Sequence, residues 1–575
     1  MKTYSRSLLA VFAAAFIGGS YAPGRAGALD LMNGFEGINS GWIPADPIIA
    51  AGPRSLVTMV SGRIAIFSKQ GAKLFEQNLG AGGFWSAQGA DQVAEPWVIF
   101  DPDSRRFIAI AAEFGSAKGR LYLAVSNDSE PRGSADWHKY RLDRTGTHQN
   151  PSFPGVPTYP DYAKVGVDSD AIYITSVHFA KNQSITASFS HAEMFALEKT
   201  PLLSGGLAEA ADAIVYDAPV LIDPSGLPIS IHPAVVFGPA PAMYFVQSVA
   251  RFADNKVVVH GLANVLSAPT HVVSPVTVAA FDRPPNVPQR GSTDLLENID
   301  ARLMSAVVRN GSLWTAHGIR DPLVDSESLV RWYQFDVTGL PNTDAVLLQS
   351  GNVDPGAGRH AWLPHINVDA RDNMGLVFSV GGAGEYASIG YTGQRVTDPD
   401  GETLPVRIAR AGAGPYTQGG WGEYSGLAID PDGSTFWLFH QYPTKQKTWR
   451  TFVGAFEVAG PPPPSDPLHC GDLDGIGANS GKNWKATVTA TIHDGDHHAI
   501  EGATVSIAWS TGATATGVTD ATGKATFTLN SISKQVAAVA LAIQGVSYLG
   551  LTYSLMENHD PDADSDGTTI TVNKP

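Results

Sequence analysis

The chain of 575 residues carries 39 Lys and Arg against 55 Asp and Glu, a formal net charge of −16. That balance argues against nucleic acid or an anionic membrane surface as the main partner and leaves neutral ligands, cationic ligands or bound Ca²⁺. Charged residues are only 16% of the chain, Gly numbers 60, aromatics are plentiful, and one cysteine, Cys470, excludes an internal disulfide framework.

The first 28 residues read as a secretory signal peptide. Lys2 and Arg6 form a basic start, Leu8 to Gly19 is an apolar run, and Ala26-Gly27-Ala28 offers a small-residue cleavage site. The mature chain is expected to begin near Leu29, outside the cytoplasm (extracellular, cell-surface or periplasmic). No later stretch of the mature chain approaches the length of a transmembrane segment.

From Asp46 onward one phrase returns seven times: a residue often followed by Pro, a short apolar strand, a Gly or Asp turn, and a second strand. The copies open at Asp46, Glu95, Asp161, His232, Arg302, Leu363 and Glu423. A period of roughly 50 to 70 residues with internal turn signals predicts a seven-bladed β-propeller over 29–459. Helical periodicity is scarce, with Gly206 to Ile214 the best short candidate. Pro461 to Pro464 mark a stiff linker over 460–466. Beyond it, 467–575 alternates apolar and polar positions in strand-length segments between Asp/Gly turns such as Asp494-Gly495, the pattern of a β-sandwich.

Phrases scattered over most of 30–459, among them ADPIIAAGP (45–53), YPDYAKVGVDSDAIYIT (159–175), RWYQFDV (331–337) and WGEYSGLAIDPDGSTFWLF (421–439), resemble a group of secreted bacterial seven-bladed propeller proteins. That resemblance implies fold and secretion and supplies no reaction. AIDPDGSTFW (428–437) is similar to the Asp-box turn of sialidases and related propellers, a structural hairpin in which an aromatic packs below the turn. In the tail, GDLDG (471–475), ATVSIAWS, TDATGKATFTL and NHDPDADSDGTTITV (558–572) resemble bacterial Ig-like domains appended to secreted enzymes and adhesins. The paired cysteines common around that hairpin in relatives are missing here. The fold class expected is all-β: a seven-bladed β-propeller followed by an Ig-like β-sandwich.

If each repeat opens the innermost strand of a blade, its first residues gather at one mouth of the central channel. They would bring together Asp46, Glu95, Asp161 and Glu423, with His232, Arg302 and His365 beside them. Three readings stand open. The carboxylates hold a hard cation such as Ca²⁺. A pair of them serves as acid and base in glycoside cleavage, with Arg302 on an anionic group. Or they accept backbone N–H bonds as part of the scaffold. His317 and Arg331 are further candidates for a ligand pocket. Trp421, with Trp42, Trp85, Trp97 and Trp362, offers a face either to sugar rings or to blade packing. Ser-hydrolase, zincin, nucleotide-loop and C-x-x-C motifs are absent.

In the tail, Asp560, Asp562, Asp564 and Asp566 alternate ahead of Gly567, as in the start of a calcium loop. The position for a bidentate Glu holds Asn573, so a looser site completed by Asp472 and Asp474 is expected in place of an EF-hand. The leading function is a secreted or surface binding protein whose propeller mouth engages an extracellular polysaccharide, with the tail as a spacer or attachment module. The alternatives are a carbohydrate-active hydrolase or lyase, and a protein that binds surface proteins through propeller loops.

Overall fold

A computed structural model describes residues 29–113, 119–146, 155–180, 189–220, 230–248, 253–458, 467–495, 497, 499–548, 551–562 and 564–575. The expected signal segment, 1–28, and the expected linker, 460–466, lie outside them. The chain divides into two compact units that meet between Val458 and Ala459. Both are built almost wholly of strands; the expected helix near 206–214 is replaced by one α-helical turn and a half, Lys199–Ser204, and a 3-10 turn, Ala210–Ala213. No helix among the described residues is long and apolar enough to cross a membrane.

The first unit is a propeller-like ring of antiparallel four-stranded sheets. Their first strands are Ile48–Ala51, Val93–Asp101, Thr158–Val167, Ile231–Pro233, Ser305–Arg309, His360–Val368 and Gly426–Ile429. Each repeated phrase supplies the first two strands of a sheet, and the longer, more variable connections supply the outer two. Successive first strands lie beside one another in a closed circuit. Val235–Phe237 closes the circuit where the fourth sheet begins, pairing in parallel with Val167 on one side and Val307 on the other. The last sheet takes its outer strand from the other end of the unit: Leu31–Glu36 pairs with Trp449–Phe456, so the two ends of the unit together hold the ring shut.

Large apolar side chains fill the space between sheets. Trp85, Phe84, Tyr122 and Trp137 pack together between the first sheets, and Trp362, Trp421, Trp437 and Trp449 between the last and its neighbours. Burying each such side chain contributes about 1.5–3 kcal/mol, which is how a chain without disulfides coheres.

The turn at 430–433 shows how a short polar motif serves that packing. Gly433 has φ +83°, a region costly for any other residue, and its N–H closes the turn on the Asp430 carbonyl at 2.9 Å. The Asp430 carboxylate then accepts the Trp437 indole N–H (2.9 Å) and pairs with Lys69 of the neighbouring first sheet (2.6 Å).

The second unit has two sheets. One is ordered His469–Ser480, Asn483–His493, Lys524–Ser533; the other Thr514–Val518, Thr504–Trp509, Ala538–Ser547, Thr569–Asn573. They share one core that includes Trp484, Val488, Ile507, Phe527, Leu541 and Ile570, the layering of a sandwich. Cys470 is wholly buried in that core and burial pushes its thiol up to about 12, so it behaves as a small apolar residue.

Asp430→Ala removes both partners of the turn and leaves the buried Trp437 N–H unpaired. The expected cost is about 1–3 kcal/mol, read as a lower urea midpoint with unchanged slope; an unchanged midpoint contradicts this account of the turn.

Candidate functional site

The entries to several first strands repeat one backbone device. Asp46, Glu95, Tyr162 and Leu363 all have φ between +51° and +54°. In three of those strands the pairing slips by a bulge just there, between Ala94 and Trp97, Asp161 and Lys164, and Trp362 and His365. Left-handed backbone at non-glycine residues costs about 1–3 kcal/mol each and persists where surrounding structure demands it. A bulge also re-aims side chains. Here the residues two places later, Trp97, Lys164 and His365, form a second layer. The sequence register that takes Asp161 as the counterpart of Glu95 is therefore off by one: Tyr162 occupies the Glu95 position, and Asp161 precedes it.

Around the mouth the polar groups interlock. Asp46 is fully buried; it accepts a hydrogen bond from the Ser61 hydroxyl (2.7 Å) and another from the Glu423 backbone N–H (2.9 Å). Ser61 in turn accepts the Glu95 backbone N–H (3.2 Å), and the Tyr424 hydroxyl donates to the Glu95 carboxylate. Asp161 accepts its neighbour Tyr162's N–H at 2.8 Å. Arg302 grips Asp300 with two guanidinium bonds (2.8 and 2.7 Å) and lies 4.4 Å over the Tyr162 ring. Its charge is thus committed to Asp300 and Tyr162.

Lys164 sits at the centre and was not singled out by the sequence. Its ammonium is fully buried, 3.5 Å from the Tyr162 ring centroid, 3.7 Å from Tyr424 and 4.8 Å from Trp97. Its one hydrogen-bond acceptor among the described residues is the Ala163 carbonyl at 3.4 Å. The cation is held by aromatic faces and by the surrounding carboxylates more than by hydrogen bonds.

Electrostatics follow from that burial. Loss of water raises Asp46 to about 6 against the lowering pull of its hydrogen bonds, and raises Glu423 to about 8, with Asp46 adding to the rise. Glu95 goes well above the usual carboxylate range through burial and then the neighbouring carboxylates, and Asp161 rises through burial. Burial lowers Lys164 to about 7, opposed by Glu95. Near neutral pH Glu423 therefore holds a proton and its carboxylic O–H becomes a donor, while Asp46 is largely ionised.

Below the carboxylates lies an axial cavity of about 60 Å³ lined by Trp97, His232, His365 and strand residues of several sheets. Waters fit it; a sugar ring does not. His365 stacks on Trp97 and donates to the Ser425 carbonyl (2.6 Å), while burial lowers its ring to about 4. His232 meets Trp97 edge-on and bonds the Pro233 carbonyl (3.2 Å), with Nε2 unpartnered among the described residues.

Other candidates lie elsewhere. His317 is buried between the Ala301 carbonyl (2.8 Å) and the Tyr333 hydroxyl (3.0 Å). Arg331 donates to the Ala279 and Ala280 carbonyls and to Asn352. His317 ties the fifth sheet to the segment leading into it, Arg331 links the fifth sheet to the outer strand Thr270–Phe281 of the fourth, and neither contacts the mouth's carboxylates. Trp421 is buried against Trp362 and Tyr416, so it packs between sheets and offers no face to a sugar. In the second unit, Asp472, Asp560 and Asp562 bring ligand atoms within 4.8 Å of one another, as do Asp474, Asp562 and Asp564. Asp566 is not among them; it accepts the Thr568 N–H at 2.9 Å and closes the turn.

Compared with protein-family models and with curated proteins, the chain matches none. Among solved structures it is similar to a protein of unknown function from Dyadobacter fermentans DSM 18053, at 10% identity and TM-score 0.37 over 75% of this chain and 100% of that one. It is similar also to Hadza microbial sialidase Hz136, at 12% identity and TM-score 0.31 over 70% and 73%. A third likeness is the alpha-L-arabinofuranosidase from Lactobacillus brevis, at 11% identity and TM-score 0.29 over 63% and 90%. Likenesses this distant assign no residue a role.

Because Asp46 and Glu423 titrate higher folded than unfolded, the folded state is favoured at low pH and loses that advantage as pH rises to about 6 and then about 8. Glu423→Gln is expected to melt higher than the parent at pH 8 and equally at pH 4. A difference that is the same at both pH values contradicts the raised carboxyls.

Proposed function

We propose that the first unit is a seven-bladed β-propeller and that its acidic mouth binds an extracellular polymer, with glycan the leading class. The observation that carries this reading is the layering of the mouth. Asp46, Glu95, Tyr162, Lys164 and Tyr424 form a nearly sealed, interlocked floor, while Asp161 and Glu423 remain partly exposed above it. A rigid floor with a few polar groups at the rim is the form of a pre-organised binding site. Glu423, raised to about 8, donates as a carboxylic acid near neutral pH. Asp161 places a second carboxyl beside it, which suits the mixed donors and acceptors of sugar hydroxyls. The polymer stays at the rim because the cavity below is too small for a ring.

A second reading, glycoside cleavage, is favoured by one feature: a proton-holding Glu423 in the same cluster as Asp161 is the pairing that acid–base chemistry needs. Binding takes precedence because Asp46 and Glu95 are closed off from any substrate. The second unit is proposed as an Ig-like spacer or attachment module, in a chain secreted after removal of residues 1–28. Its Asp472, Asp474, Asp560, Asp562 and Asp564 are proposed to hold Ca²⁺, a hard cation suited to carboxylate oxygens.

Glycan-array binding of the mature chain tests the first reading. Asp161→Asn/Glu423→Gln is expected to weaken binding about 10-fold or more without loss of fold, and no new reducing or unsaturated ends appear on the bound polysaccharide. Turnover that the double variant abolishes replaces binding by catalysis. Unchanged binding in the variant removes the mouth as the site. For the tail, Ca²⁺ added to metal-stripped protein is expected to raise the melting temperature of the parent and not of Asp562→Asn/Asp564→Asn; equal responses contradict the Ca²⁺ proposal.

A further inference from the structure

Four histidines of the second unit converge on one point, although the sequence scatters them. His469 opens the strand His469–Ser480, His493 ends the strand Asn483–His493, His497 lies in the following turn, and His559 lies in the segment leading to the last strand. One ring nitrogen from each lies within 4.8 Å of those of the other three. All six ring pairs are close, with centroids 4.9 to 6.3 Å apart, and none is stacked: four pairs cross at 79° to 88° and two at about 40°. Packing alone would favour offset stacking or isolated edge contacts. Four imidazoles splayed about a common centre is the arrangement a tetrahedral cation imposes.

The details agree. His469 Nε2 and His497 Nδ1 are 3.1 Å apart, close to the roughly 3.3 Å separating two nitrogens bound tetrahedrally at about 2.0–2.1 Å from zinc. His559 Nδ1 donates to the Glu557 carbonyl at 3.1 Å, which fixes the tautomer and leaves Nε2 as a lone-pair donor. His493 Nδ1 is buried without a hydrogen-bond partner among the described residues, pressed against Gly471, where an added Cβ would sit 2.1 Å from it. Among the described residues the group consists of four imidazoles and no carboxylate.

We propose that His469, His493, His497 and His559 bind one divalent cation of the zinc class. Four neutral nitrogens suit Zn²⁺, Cu²⁺ or Ni²⁺ and disfavour Ca²⁺ and Mg²⁺, which take oxygen ligands. Four protein ligands fill a tetrahedral shell and leave no open position, so the site is a structural staple and not a catalytic one. It ties the first two strands of the unit to the segment before its last strand. It is distinct in chemistry from the carboxylate group Asp472, Asp560 and Asp562, of which Asp560 directly follows His559 in the chain.

Zn²⁺ titration of the full mature chain, purified without a histidine tag and metal-stripped, tests this against a chromophoric competitor chelator in the presence of excess Ca²⁺. One equivalent of Zn²⁺ is expected, undisturbed by Ca²⁺, and Co²⁺ in its place is expected to give the intense visible bands of a tetrahedral nitrogen site. His497→Gln, at an exposed position, is expected to weaken uptake about 10-fold or more, and His493→Gln/His559→Gln to abolish it. Circular dichroism of the variants confirms their fold independently of metal. No saturable uptake by the parent, or uptake unchanged in the double variant, overturns the proposal.

Discussion

The mouth of the first unit depends on a buried ammonium. Lys164 stands fully buried where four carboxyls and three aromatic rings meet, with a single long hydrogen bond among the described residues, to its neighbour's carbonyl. An isolated buried charge is costly unless opposite charge and polar groups surround it. Asp46, raised only to about 6, supplies that charge near neutral pH, and Lys164 in turn pulls the Asp46 carboxyl down. Each side makes the other tolerable, and the Asp46–Ser61–Glu95 and Glu95–Tyr424 bonds fix the geometry in which both are tolerated. The left-handed backbone at Asp46, Glu95 and Tyr162 is the conformational cost of bringing these groups inward at the entries of neighbouring strands.

From the mouth the polar network extends into the third sheet. His178, on the strand paired with that of Asp161, lies 2.8 Å from Glu193, and Glu193 pairs in turn with Arg144. Asp161 thus stands at the rim with a fixed ionic chain behind it, while Glu423 is held from the last sheet through its backbone bond to Asp46. Closure of the ring by Leu31–Glu36 matters for the same reason: it secures the sheet that delivers Glu423 and Tyr424. A rim whose two accessible carboxyls hang from rigid supports is suited to recognition with little reorganisation.

Much of this architecture was legible from sequence because it repeats. Phrases such as EPWVIFDPDSRRFIAIA and LPHINVDARDNMGLVF carry two strands and a turn each, and the structure uses them as the first two strands of successive sheets. Asp46, Glu95, Asp161 and Glu423 were likewise drawn together by their place at strand entries. The bulge was not legible, since a one-residue slip has no compositional mark; it moved Tyr162 into the Glu95 position and hid Lys164. One signal was present: Lys164 is a charge inside the apolar run YAKVGV, two places after the bulge residue, where other copies carry Trp97 and His365. His317, Arg331 and Trp421 misled for the opposite reason. Their residue types suit ligands, but each is satisfied inside its own sheet or between sheets. The four tail histidines could not be grouped from spacing at all, because the folding of two sheets brings them together.

Lys164 is a desolvated cation balanced by the mouth carboxyls. A pH titration of the native chain carrying ¹³C-labelled lysine, with Lys164 assigned by its loss in Lys164→Met, measures it directly. The account predicts one lysine side chain titrating near 7, far below its exposed counterparts, and moving when Glu95 is changed to Gln. A Lys164 signal that titrates with the other lysines near the ordinary value of about 10.4 would contradict it.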